Sequence, residues 1–178
     1  MKLNLPNKLT LLRVIMVPFF VFFLLNAEKH AGFRQTALIL FILASLTDTL
    51  DGYIARSRNL VTDFGKFMDP LADKLLVCSA LICFVETGEL ASWIVILIVA
   101  REFIISGFRL IAAEKGVVIA AGVWGKAKTV SQMLCIVVLL LDIPALSLLE
   151  NALIWIMTAL TVISLADYLI ANRNILKD

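Results

Sequence analysis

The sequence is short of the features that mark disulfide-rich, zinc-binding or nucleic-acid-binding proteins. It has three cysteines, Cys78, Cys83 and Cys135, each alone inside an apolar run. No pair has the spacing of a zinc site or a disulfide framework, so they read as packing residues. The one histidine, His30, sits in a polar loop and reads as solvated. A net charge of +2 over 178 residues gives no basis for a nucleic-acid partner. There is no low-complexity tract, no internal repeat and no polar stretch long enough to hold a separate domain. The first apolar run is not followed by a leader-type cleavage site. "LLNAEKHA" lacks the small-x-small pattern, so that run reads as a retained span.

What the chain has instead is apolar length. It is 61% hydrophobic, where a soluble domain averages roughly 45–50%, and its mean hydropathy is +0.98. A spanning helix needs about 20 mostly apolar residues. Residues 9–27, 36–56, 67–86, 91–113, 125–142 and 150–171 each come close. The expectation is an all-α integral membrane protein of six transmembrane helices, one domain over 1–178. Of the 16 Lys and Arg, only Lys29 and Arg34 fall on the side opposite the N-terminus under this topology. The positive-inside rule then predicts that both termini are cytoplasmic. Trp93 and Trp155 open spans four and six on the outer side and read as interfacial anchors, as does Trp124 at the inner mouth of span five.

Against this apolar background one stretch is out of place. "SLTDTLDGYIARSRNLVTDFGKFMDPLADK", Ser45–Lys74, places five Asp between two lipid-like runs. Carboxylates in a membrane segment are costly and point to function. Asp48 and Asp51 are three apart, and Asp69 and Asp73 four apart, so each pair shares a helix face. A short turn near residues 59–63 makes the two helices antiparallel neighbours, and four carboxylates can then converge. Unneutralised, they would repel one another. Oxygen-only ligands suit Mg²⁺, Mn²⁺ or Ca²⁺, and two such ions can clamp a phosphoryl group. Helix caps and salt bridges to Arg56, Arg58 and Lys74 are the plainer alternative, and Asp63 fits it as a loop or cap residue. Gly52 and Ala55 lie on the carboxylate face, and Gly65 precedes the second pair, leaving room for close approach to the backbone.

The run also fits D-x2-D-G-x2-A-R-x8-G-x3-D-x3-D at every fixed position, from Asp48 to Asp73. In this it resembles the CDP-alcohol phosphotransferase family. The resemblance implies a six-helix membrane enzyme, homodimeric, that displaces CMP from a CDP-linked donor with an incoming hydroxyl. It implies that Asp48, Asp51, Asp69 and Asp73 hold divalent metal, Mg²⁺ or Mn²⁺ and two ions by charge. Asp73 also serves as general base. Gly52, Ala55, Arg56 and Gly65 line the nucleotide pocket.

The second half carries "AREFIISGFRLIAAEKGVVIAAGVWGKAKTVSQ", Ala100–Gln132. Arg101 and Arg109 fall about 80° apart on one helix, and Lys126 and Lys128 open the fifth span. Arg101, Arg109 and Lys126 read as a cluster for an acceptor that bears its own phosphate. Lys115 and Lys128 read as topology cations, and Glu102 as a partner for a neighbouring cation. This half, with "LPNKLTLLR" at the start, is similar to the bacterial branch of the family whose acceptor is glycerol 3-phosphate. That likeness implies CDP-diacylglycerol as donor, sn-glycerol 3-phosphate as acceptor, and a place in phospholipid biosynthesis at the bacterial cytoplasmic membrane, among membrane lipids. Asn7, Thr10 and Arg13 either touch the donor phosphate or are a helix cap and a topology charge. A sibling using inositol phosphate or serine stays open. An ion transporter and a prenyl-transfer enzyme fit less of the chain, since neither explains the D-x2-D-G-x2-A-R run.

Overall fold

The structure, a computed structural model, describes residues 4–57, 62–120 and 122–176, without the side chains of 49–51, 53–56, 66, 175 and 176. Six long α-helices make up the described residues: α1 Leu5–Leu25, α2 Phe33–Ser57, α3 Asp63–Glu86, α4 Ser92–Glu114, α5 Val123–Leu141 and α6 Ser147–Ala171. Short 3₁₀ turns precede and follow α6, at Pro144–Leu146 and Arg173–Leu176. Three stretches, Leu5–Leu25, Val123–Leu141 and Pro144–Ala171, are long and apolar enough to cross a membrane by themselves. Large apolar side chains face outward, among them Phe19, Phe67, Ile96, Phe103 and Leu110. Helices apolar on their outer faces are built for lipid, and this is a helical membrane protein.

The helix ends follow local chemistry. Asn4 caps α1, its side chain accepting from the Asn7 amide at 3.0 Å, with Pro6 in the first turn. The helix therefore starts at Leu5, four residues before the apolar run that predicts it. Thr62 caps α3 in the same way, accepting from the Gly65 amide at 3.0 Å. At the other ends, α3 and α4 both close on a glycine with positive φ, Gly88 at 78° and Gly116 at 71°. The next residue reaches back five positions: Glu89 N–H to the Phe84 carbonyl at 2.9 Å, and Val117 N–H to the Ala112 carbonyl at 2.8 Å. That is the Schellman closure, which glycine adopts with least strain.

The helices form two compact units, Met1–Glu89 and Leu90–Asp178. In the first unit α1 packs along both α2 and α3, while α2 and α3 touch each other only over a short stretch. The sequence predicts α2 and α3 as antiparallel neighbours; among the described residues they do touch, and α1 lies along both. Sequence adjacency sets only the connection. The buried stripe of α1 sets the packing. That stripe runs Asn7, Thr10, Arg13, Val17, Phe20, Leu24, at the three- and four-residue spacing of one helix face. Its second half is apolar, and the two helices beside it bury small residues, Ala37 and Ala44 on α2 and Ala72 and Ala80 on α3. Small residues let membrane helices approach closely. Its first half is polar, which is what positions the site. At the far end Arg34 pairs with Glu89 at 2.6 Å, and Thr87 donates to the same carboxylate at 2.8 Å.

In the second unit α6 packs along α5 and α4. The α5 face buries Lys128, Ser131, Gln132, Cys135, Ile136, Leu139 and Leu140. The α6 face buries Met157, Thr158, Thr161, Ser164 and Tyr168. Trp93 and Trp155 stack at 6.2 Å between centroids while staying half exposed, as suits a pair of interfacial anchors.

Candidate active site

The site in the first unit is assembled around the polar half of α1. Arg13 is wholly buried, and its Nη1 donates to Asp48 Oδ1 at 2.7 Å while Nε donates to the Ala44 carbonyl at 3.2 Å. Three residues earlier on the same face, the Thr10 hydroxyl donates to Asp69 Oδ1 at 2.6 Å. One helix thus holds a carboxylate from each half of the aspartate motif. The bonds to these carboxylates are charge-assisted and short, which fixes their orientation. Asn7 completes the stripe: Gly65 N–H donates to Thr62 Oγ1, and Thr62 Oγ1 donates to Asn7 Oδ1 at 3.0 Å. The first turn of α3 is tied to α1 by this relay.

The role of Asn7, Thr10 and Arg13 is therefore more specific than either sequence reading. The cap of α1 is Asn4, not Asn7, and Arg13 and Thr10 are engaged with protein carboxylates. What the sequence reading misses is this α1-to-Asp link. Its signal is the i, i+3, i+6 spacing of three polar residues in an otherwise apolar helix.

Gly65 leaves little room for a side chain. A Cβ there would come within 3.2 Å of Asn7 Oδ1, 3.4 Å of Thr62 Oγ1 and 3.6 Å of Asp69 Oδ2. Its nearest neighbours are all oxygens. Asp69 and Asp73 stand one turn apart on α3, both partly buried. Asp51, Ala55 and Arg56 have side chains outside the described residues, and Gly52 is partly buried. Among the described residues, no three of His, Cys, Asp and Glu gather closely enough to hold a metal. The donor chemistry of Asp48, Asp69 and Asp73, all oxygen with no thiol or imidazole, fits a hard divalent cation.

The second unit has its own buried polar group. Arg101, 8% exposed, donates from Nη1 to Glu102 Oε1 at 2.8 Å and from Nε to Ser164 Oγ at 3.2 Å. Lys128, 2% exposed, donates to the same Glu102 oxygen at 2.8 Å. A Cβ on Gly125 would sit 3.4 Å from Arg101 Nη2. Arg109 and Lys126 are exposed. The cation beside Arg101 is thus Lys128, which the sequence reads as a topology charge, and Glu102 takes both. Helical register is the physical reason. Followed toward its N-terminus from Leu139, the buried stripe of α5 passes through Ile136, Gln132 and Lys128, and the exposed Lys126 falls off that face.

A profile of the CDP-alcohol phosphatidyltransferase family matches residues 3–163. Relatives align along almost the whole chain. A Bacillus subtilis protein is 42% identical over 98% of this chain and 97% of its own length. A Haemophilus influenzae protein is 40% identical over 100% and 98%, and one from Rickettsia bellii 39% over 96% of each. All three are named CDP-diacylglycerol–glycerol-3-phosphate 3-phosphatidyltransferase.

Proposed function

The chain belongs to the CDP-alcohol phosphatidyltransferase family, and from that premise we propose that it transfers the phosphatidyl group of CDP-diacylglycerol to sn-glycerol 3-phosphate, releasing CMP. The observation that carries this reading is the joint anchoring of Asp48 and Asp69 on α1 by Arg13 and Thr10. It turns a sequence motif into a fixed pair of carboxylates.

In this reading six helices span the bacterial cytoplasmic membrane as a homodimer, with both termini and the site on the cytoplasmic side. Asp48, Asp51, Asp69 and Asp73 hold two divalent ions, Mg²⁺ or Mn²⁺. When bound, these ions supply positive charge to the diphosphate and to the departing CMP. Gly52, Ala55, Arg56 and Gly65 line the donor pocket. Asp73 takes the proton of the acceptor hydroxyl. The acceptor oxygen bonds to the phosphorus that carries diacylglycerol, the bond from that phosphorus to the bridging oxygen breaks, and CMP leaves with the electron pair. Direct attack predicts inversion at a chiral phosphorus. Retention would require an enzyme-bound intermediate and overturn this step.

Arg101 and Lys128 are the buried cations suited to the acceptor's phosphate, since a desolvated guanidinium fork recognises phosphate oxygens strongly. Arg109 and Lys126 serve at the exposed approach. Lys128→Met is expected to raise the KM for glycerol 3-phosphate by about tenfold or more, and Lys126→Met by less. The reverse order in steady-state kinetics would return the acceptor seat to Lys126.

The reading as a whole is tested by CMP release from purified protein with CDP-diacylglycerol, Mg²⁺ and one alcohol at a time. Release with glycerol 3-phosphate alone supports it. Release only with inositol phosphate or serine would keep the aspartate site and replace the acceptor. No metal-dependent release with any alcohol would overturn it.

A further inference from the structure

One buried group of the second unit is accounted for neither by packing nor by the chemistry above. The side-chain amide nitrogen of Gln132, on a residue 3% exposed, has no hydrogen-bond partner among the described residues. A buried donor left unpaired costs about 1–3 kcal/mol, and Leu or Met would fill the same volume without that cost.

Hydroxyls of the same unit donate to their own helices, and none of them accepts from the Gln132 amide. Ser131 donates to the Lys128 carbonyl at 2.9 Å, Thr161 to the Met157 carbonyl at 2.7 Å, and Ser164 to the Thr161 carbonyl at 3.1 Å. Gln132 stands one turn after Lys128 on the buried face of α5. Helical side chains lean toward the N-terminus, which brings its amide back toward the turn of Lys128. Lys128 and Arg101 share Glu102, and Arg101 reaches Ser164 on α6. The unpaired donor thus belongs to a residue one turn from a buried cation on the same face of α5.

We propose that Gln132 is a specificity residue that donates to a non-reacting hydroxyl of the acceptor, making the substrate class a phosphorylated polyol with a free hydroxyl beside the reacting one. The proposal rests on the assignment of Arg101 and Lys128 to the acceptor's phosphate. A site built to pair a substrate hydroxyl rejects the analogue that lacks it, because its own polar group is then stranded.

The test compares full-length wild type with Gln132→Met, which keeps the length of the side chain and removes both polar atoms. CMP release is measured with glycerol 3-phosphate and with 3-hydroxypropyl phosphate, which lacks the middle hydroxyl. Wild type is expected to favour glycerol 3-phosphate. In the variant the ratio of the two kcat/KM values is expected to fall about tenfold or more, through loss on glycerol 3-phosphate, with the analogue's rate held or raised. The analogue's rate also reports that the variant is folded. An unchanged ratio, or equal loss on both acceptors, overturns the role of Gln132 alone. A wild type that releases no CMP with glycerol 3-phosphate overturns the acceptor assignment and this inference together.

Discussion

Asp73→Asn is expected to lower CMP release by about 10²- to 10⁴-fold, the range a positioned general base contributes, while the protein still folds. Asn keeps the volume of the side chain and removes the basic oxygen. The neighbouring Asp69 is held by Thr10 at 2.6 Å and Asp48 by Arg13 at 2.7 Å, so both of these carboxylates are set from α1. The informative control is metal concentration. If Asp73 acted only as a ligand, saturating Mg²⁺ would restore much of the rate. If it takes the proton, the loss persists at saturation, and Asp69→Asn responds to added Mg²⁺ more than Asp73→Asn does. Recovery of Asp73→Asn by metal alone would remove the base from this position.

The parts of the molecule legible in the sequence are those set by local spacing. Asp48, Asp51, Asp69 and Asp73 stand out because paired charge at helical intervals is too costly to keep in an apolar chain without a use. The apolar run 91–113 predicts α4 closely, since the helix spans Ser92–Glu114. The run 9–27 misses the start of α1, because hydropathy discounts Asn7 and Lys8 while the Asn4 cap and Pro6 begin the helix regardless. Partner choice is the illegible part. That Arg13 meets Asp48 across 35 residues depends on α1 lying against both α2 and α3. Lys128 is hidden differently. Its burial is readable from the register of α5, but counting cations by side of the membrane treats Lys126 and Lys128 alike.

The ion pair of Arg13 and Asp48 gives the second large effect, and the asymmetry of its burial decides the form. The Arg13 side chain is 0% exposed and that of Asp48 is 43% exposed. Removing Asp48 takes a carboxylate from a wholly buried guanidinium; removing Arg13 leaves a carboxylate that water can reach. Loss of one partner of a buried pair costs about 3–5 kcal/mol. Asp48→Leu is therefore expected to destabilise by less than that range, because Asp48 is itself partly exposed and Arg13 keeps further contacts, among them the Ala44 carbonyl at 3.2 Å. Arg13→Met should cost less stability and yet lower activity about 10²-fold, the penalty of a reacting group displaced by roughly 1 Å. Thermal melts in detergent and CMP release on the same preparations separate the two. The double variant Arg13→Met with Asp48→Leu is expected to melt above Asp48→Leu alone, since the buried guanidinium that lost its carboxylate is then gone, and to stay inactive. A double variant no more stable than Asp48→Leu would mean that the guanidinium is held by its other contacts. Arg13 would then be an anchor of the fold and not the group that aims Asp48.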